Sequence, residues 1–178
     1  MRFELNPITR MRFKLERWNL CGFPGRTAER FVRALGCLKD NLPPRVCAAV
    51  LRTCWNGWCT KRRFQKLGPC VFGCGAFLQA DSLEHYSGCQ VCVGFLRSRL
   101  RYLTPIDRGH LIVLGVHRAY PDLGALLRLA LWNYVLYMSF NHCRHQIGSA
   151  SRRTPVQGVF EQYLREAVNG HEGASAFL

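Results

Sequence analysis

The stretch that decides the fold is Leu123-Gly124-Ala125-Leu126-Leu127-Arg128-Leu129-Ala130-Leu131-Trp132-Asn133-Tyr134-Val135-Leu136-Tyr137-Met138-Ser139-Phe140. As a helix these residues would span about 27 Å, slightly short of a bilayer core of about 30 Å. Arg128 and Asn133 lie inside the run, and a central Arg costs roughly 2.5–3.5 kcal/mol on insertion. A helix buried in a protein core, apolar on most sides, accounts for the stretch better than a membrane span. It should end at Asn141-His142-Cys143-Arg144-His145, where cationic side chains complement the C-terminal dipole.

The flanking segments also read as helical. Downstream, Gly148-Ser149-Ala150-Ser151 forms a linker, and Thr154-Pro155-Val156-Gln157 has the form of a capping box opening a last helix to about Val168. Upstream, Ile106–Tyr120 is a connector whose run Leu111–Val116 could be strand or helix. A helix is expected from about Val91 to Tyr102, closed by Thr104-Pro105. Another runs from Thr27, as its cap, to Asp40, with Phe31, Ala34, Leu35 and Leu38 at helical spacing. Arg26, Arg30 and Arg33 recur on a second face, read as solvated, with a phosphate-tracking stripe as the alternative. Pro44 suits the first turn of a short helix to Cys54, and Asn56-Gly57 breaks it. The first 20 residues mix basic and apolar positions and carry no clear assignment. The expected fold class is mainly α, a small helical domain with an embedded Cys/His zinc-knuckle-like segment.

Charge restricts the partner. The 178 residues hold 25 Lys+Arg against 11 Asp+Glu, a net charge of +14, and 48% are hydrophobic. The composition is globular rather than disordered, and the surplus charge favours a polyanion, nucleic acid before an acidic membrane surface. Residues 1–66 carry 15 Lys+Arg and 4 acids (15 − 4 = +11); residues 67–178 carry 10 and 7 (10 − 7 = +3). Arg outnumbers Lys 21 to 4, and its planar fork matches phosphate and stacks on bases. The N-terminal residues Met1–Pro7 have no apolar core of an export signal. An intracellular protein, nuclear or cytoplasmic, is expected, and its ten cysteines then read as metal ligands and buried thiols rather than disulfides.

Three of those cysteines and one histidine have metal-ligand spacing. Cys70-Val71-Phe72-Gly73-Cys74 is followed by His85 and Cys89, in the pattern C-x3-C-x10-H-x3-C. Zinc takes four such ligands tetrahedrally. Gly73 and Gly75 let one tight turn supply two thiolates. Asp81 with Glu84 forms a variant capping box, so a helix should begin near Ser82 and place His85 and Cys89 one turn apart on one face. Cys92 is an alternative fourth ligand in place of His85. Four protein ligands leave no open position, so one zinc would be structural. His142 and His145 read as a basic helix end rather than a second site, and His110 and His117 lack partners at useful spacing. No Walker loop, Gly-x-Gly-x-x-Gly loop, catalytic triad or paired carboxylates occur, and no enzyme is expected.

The strings Cys70–Gly75 and Asp81–Tyr86 with Cys89 resemble the zinc-binding segment at the C-terminus of LINE-type, non-LTR retrotransposon reverse transcriptases, especially those of dinoflagellate and related algal genomes. Leu51–Thr53, Trp55–Trp58 and Arg62–Gln65 are also similar to those proteins, and more loosely so are Gly115–His117 and Asn141–His145. The resemblance implies a C-terminal nucleic-acid-binding piece. The polymerase Tyr-x-Asp-Asp turn is missing; Tyr120-Pro121-Asp122-Leu123 lacks the second Asp.

The chain is therefore read in four parts. Residues 1–60 are a basic helical N-terminal region, and 61–104 hold the zinc segment and following helix. Residues 105–147 are the connector and long apolar helix; 148–178 are the linker, short C-terminal helix and tail. Lys61, Arg62, Arg63, Lys66, Arg97, Arg99 and Arg101 would contact phosphates of RNA or DNA, with Trp58 and Phe64 as stacking surfaces. No small-molecule substrate is expected. The competing readings are a zinc-stapled structural or protein-interaction domain and a non-functional retroelement remnant.

Overall fold

A computed structural model describes residues 6–20, 24–78, 80–146 and 155–169. The described residues are mainly helical and include no strand. In chain order the helices are α1 (Pro7–Glu16), α2 (Pro24–Asn41), α3 (Pro44–Cys54), α4 (Leu83–Tyr86), α5 (Gln90–Arg99), α6 (Arg108–Val113), α7 (Leu123–Gln146) and α8 (Val156–Val168). A single 3-10 turn covers Arg62–Phe64.

The apolar run from Leu123 is the axis of the molecule. α7 packs against α2, α3, α6 and α8, and every residue from Leu129 to Leu136 is buried. Such all-round burial requires apolar side chains on every face, which explains why the run resembles a membrane span in length and composition alone. Asn133, fully buried at its centre, is not left unpaired. Its Nδ2 donates to Leu111 O (2.6 Å), and its Oδ1 accepts from the Thr53 hydroxyl (2.8 Å). Those bonds tie α7 to α6 and to α3 and offset the cost of burying an amide.

Several local expectations are corrected. Within the first 20 residues, to which the sequence gives no clear assignment, Pro7–Glu16 form α1, capped by Asn6, whose side chain accepts from Ile8 N (2.9 Å) and which is followed by Pro7 at the first helical position. α2 begins at Pro24, so Thr27 is a buried residue within the helix and not its cap. Leu111 to Val113 end α6; Leu114 and Gly115 then take left-handed conformations that terminate it. The helix after Cys89 stops at Arg99 rather than Tyr102. Thr154 and the linker 148–151 lie outside the described residues; Pro155 is the N-cap of α8 and makes no side-chain capping bond.

Arg26 of α2 is exposed, as expected of a solvated face, but Arg30 and Arg33 also make contacts. Arg30 donates to Val116 O and Arg118 O (both 3.3 Å), and the Arg33 guanidinium lies 5.8 Å from the Tyr120 ring centre. They hold the connector between α6 and α7 against α2. This is a packing role, since fixed guanidinium stems cover apolar surface as well as carrying charge.

Candidate metal centre

Between α3 and α5 the chain has little regular structure, and hydrogen bonds shape it instead. Cys70 N donates to Ala76 O (3.0 Å), and Ala80 N and Asp81 N both donate to Gly68 O (3.0 and 3.2 Å). These bonds draw Gly68 to Ala80 and Asp81, and Cys70 to Ala76, as the arms of a hairpin are drawn together. The tip of the loop reverses at Gly73 (φ 73°) and Gly75 (φ 86°), angles that suit residues without Cβ. The turn brings Cys70 and Cys74 to the same side.

The second pair of ligands comes from two helices. Ser82 caps α4 by accepting from His85 N (3.1 Å). The Asp81 carboxylate serves elsewhere, accepting from Lys61 N (2.9 Å) and the Tyr86 hydroxyl (2.7 Å). α4 is only four residues long, so His85 and Cys89 do not share one helical face as the spacing suggested. His85 sits on α4, and Cys89 is the N-cap of α5. The chain turns at Ser87 and Gly88, and Gly88 N donates to His85 O (3.0 Å).

The four side chains converge. One ligand atom from each of Cys70, Cys74, His85 and Cys89 lies within 4.8 Å of every other, a cluster that could hold a metal ion. Cys70 Sγ and Cys89 Sγ are 3.9 Å apart, and Cys74 Sγ is 3.3 Å from His85 Nε2. Cys70 and Cys89 are buried, while Cys74 and His85 are half-buried at the outer side. Cys92 lies outside the cluster. It is fully buried on the first turn of α5, where its thiol bonds to the Cys89 sulfur.

Backbone amides surround the two inner sulfurs. The N–H groups of Phe72 and Cys74 point at Cys70 Sγ, and those of Val91 and Cys92 at Cys89 Sγ. Bonds from the Cys70 and Cys92 thiols, aided by those amides, hold the Cys89 thiol far below the ordinary range. Cys70 is pushed up in turn, first by its bond to Cys89 and then by burial. The arrangement favours negative charge on sulfur at the mouth of α5, where the helix N-terminus adds its partial positive charge. A thiolate held by amides is the donor a cation takes, and such outer bonds orient metal ligands.

The aromatic floor fixes the site to the core. Tyr86 and Phe72 meet edge-on with centroids 5.0 Å apart, and Trp58 lies 5.9 Å from Tyr86 and 5.2 Å from Phe140 of α7. Trp58 is fully buried, with Nε1 bonded to Thr53 Oγ1 (2.8 Å). It supports the site from beneath and cannot stack on an external base, correcting its expected role. Phe64 is 56% exposed.

The basic residues separate into two groups. Arg62 and Arg63 lie on the 3-10 turn beside the loop and Lys61 and Lys66 flank it, the turn being joined to the loop by Arg62 N donating to Asp81 O (3.3 Å). Arg62 also reaches Glu84 Oε1 at 3.5 Å. Arg97 and Arg99 sit in the last turn of α5 and Arg101 just beyond its end, with Arg97 about 12 Å along the axis from Cys89. Arg99 is paired with Glu161 of α8.

His142 does not join His145 in a site; its Nδ1 lies 3.3 Å from the Tyr163 hydroxyl of α8. His110 and His117 do have a partner, which spacing alone did not reveal. Asp107 Oδ1 lies 2.9 Å from His110 Nδ1, and Oδ2 lies 3.1 Å from His117 Nε2 and 2.7 Å from an Arg118 nitrogen. The signal for the first pair was present, because Asp107 and His110 stand three apart and form a capping box on α6.

No family model, curated protein or solved structure matches this chain.

Proposed function

We propose that the protein is a zinc-stabilised nucleic-acid-binding module, comparable to a detached C-terminal part of a retroelement reverse transcriptase and without a catalytic role of its own. The observation that carries the reading is the convergence of Cys70, Cys74, His85 and Cys89 at the edge of a basic turn. Tetrahedral zinc with Zn–S of about 2.3 Å and Zn–N of about 2.0–2.1 Å implies S···S edges of about 3.8 Å and S···N edges of about 3.6 Å. The separations of 3.9 Å and 3.3 Å are close to both. Three sulfurs and one imidazole are also the soft to borderline donors that zinc prefers over harder cations.

Zinc held by four protein ligands supplies no open coordination position, so its chemistry is that of a staple. Cys70 and Cys74 anchor the loop, while His85 and Cys89 anchor the starts of the two following helices. An intracellular setting, where thiols stay reduced, is part of this reading. Lys61, Arg62, Arg63 and Lys66 would meet phosphate beside the metal. Arg97 and Arg101 would extend the contact, and Arg99 contributes less while paired with Glu161.

Elemental analysis of the purified chain should find one zinc per molecule. Binding of a labelled oligonucleotide should weaken linearly in log–log form as salt rises, because each neutralised phosphate releases counterions. Lys66→Gln with Arg97→Gln should flatten that slope. Metal-free protein that folds normally, or binding indifferent to salt, would remove the respective half of the reading.

A further inference from the structure

The loop that holds the metal cluster carries a concentration of exposed apolar side chains. Phe64, Leu67, Phe77 and Leu78 are 56%, 63%, 78% and 79% exposed. They account for four of the nine large apolar side chains exposed among the described residues, yet fall within one short segment. The loop sorts its aromatic residues: Phe72 turns inward against Tyr86 and Phe160, whereas Phe77 faces outward. Bonds from Ala80 N and Asp81 N to Gly68 O, and from Arg62 N to Asp81 O, join the turn bearing Phe64 to the loop arms bearing Leu67, Phe77 and Leu78.

Charge narrows what can cover this surface. Residues 41–80 include Arg45, Arg52, Lys61, Arg62, Arg63 and Lys66 and contain no Asp or Glu. The Arg63 guanidinium lies 6.0 Å from the centre of the Phe64 ring. Exposed rings among a surplus of cations, with Glu84 offsetting Arg62, complement a ligand with flat apolar faces and an anionic spine. An unpaired nucleic-acid strand has that form, and every base offers a face for stacking. A duplex buries those faces inside its stack and presents only edges and phosphates.

We propose that Phe64 and Phe77, flanked by Leu67 and Leu78, form a stacking surface for unpaired bases, so that the ligand is single-stranded RNA or DNA rather than duplex. The inference rests on the nucleic-acid reading above and adds the strandedness of the ligand and the residues that select it. Cations at 61–66 supply affinity for either form, and the rings discriminate between them.

The test measures anisotropy of a labelled single strand and of its duplex with the metal-containing full chain. Wild type should bind the single strand more tightly. Phe64→Ala with Phe77→Ala should weaken single-strand binding by about tenfold or more, leaving duplex binding and both salt slopes unchanged. Phe77→Leu, which keeps apolar area but loses the ring, should fall between. Because both rings are exposed, circular dichroism and metal content should match wild type. Equal affinity for the two forms, untouched by the ring substitutions, would overturn the stacking surface and leave the phosphate reading intact. Absence of binding to either form at low salt would overturn both. Capture of a protein partner through Phe77 without any single-strand binding would also overturn both.

Discussion

The Thr53 hydroxyl and the Asn133 side-chain carbonyl meet 2.8 Å apart in the fully buried centre of the molecule. Thr53 also accepts from Trp58 Nε1 (2.8 Å), and Asn133 donates to Leu111 O (2.6 Å). One polar line thus runs from α6 through α7 and α3 to the indole beneath the metal cluster. Removing Asn133 leaves a buried carbonyl without its donor and opens a small cavity. Asn133→Ala should cost about 2–4 kcal/mol, read as a lower urea midpoint with an unchanged m-value. Thr53→Val, nearly equal in volume, should cost about 1–3 kcal/mol by leaving the indole N–H unpaired.

The ligand set predicts an asymmetry between neighbouring cysteines. Cys89→Ser should abolish stoichiometric metal, whereas Cys92→Ala should retain one ion per chain, because Cys92 lies outside the cluster. Elemental analysis of the two variants checks this. Chelation should destabilise the fold by about 4 kcal/mol or more relative to protein at free metal a thousandfold above Kd.

Asp107 should make stability acid-sensitive. Burial alone would raise its pKa, but bonds to His110 and His117 outweigh that effect and bring it from 3.8 to about 2. A carboxylate depressed in the folded state stabilises above its unfolded pKa and loses that contribution as pH falls through the folded value. The stability gap between wild type and Asp107→Asn should therefore be complete above about pH 4 and close toward pH 2. Burial also lowers the pKa of His117 below 6.5, so its protonation adds a loss that begins at milder acidity. Denaturant midpoints measured across this range decide the matter; a constant gap would contradict it.

Gly109 lies close against the His117 ring. A Cβ there would collide with Cε1, Nδ1 and Nε2, and the bond from Nε2 to Asp107 Oδ2 (3.1 Å) restrains the ring from retreating. Gly109→Ala should cost about 1–3 kcal/mol, although alanine has the higher helix propensity. Thermal unfolding measures the sign directly.

Much of the helical plan is legible from sequence. The Leu123 run, the apolar spacing at Phe31, Ala34, Leu35 and Leu38, and Pro44 at a first turn are local signals that survive in the structure. α1 was harder to read. Ile8, Met11, Leu15 and Trp18 do recur at helical spacing and pack inward, but Arg10, Arg12, Phe13 and Lys14 interleave with them and blur the apolar face.

The metal cluster divides in the same way. Spacing and glycines alone named Cys70, Cys74, His85 and Cys89, because a tight turn and a capped helix start leave local marks. The choice of His85 over Cys92 was open in sequence, since either lies within reach of Cys89. Packing of α5 buries Cys92 behind the inner sulfurs and leaves His85 in the cluster that could hold a metal ion. The fate of Trp58 was equally hidden, for an indole in a basic segment suits a ligand and a core alike. Only the approach of Phe140 and Tyr86 from distant helices placed it inside and left Phe64 and Phe77 at the surface. Chain-local chemistry names the candidate ligands and many of the helices of this protein; which of its aromatic and cysteine side chains face inward depends on contacts between elements far apart in the chain, which no short window of sequence contains.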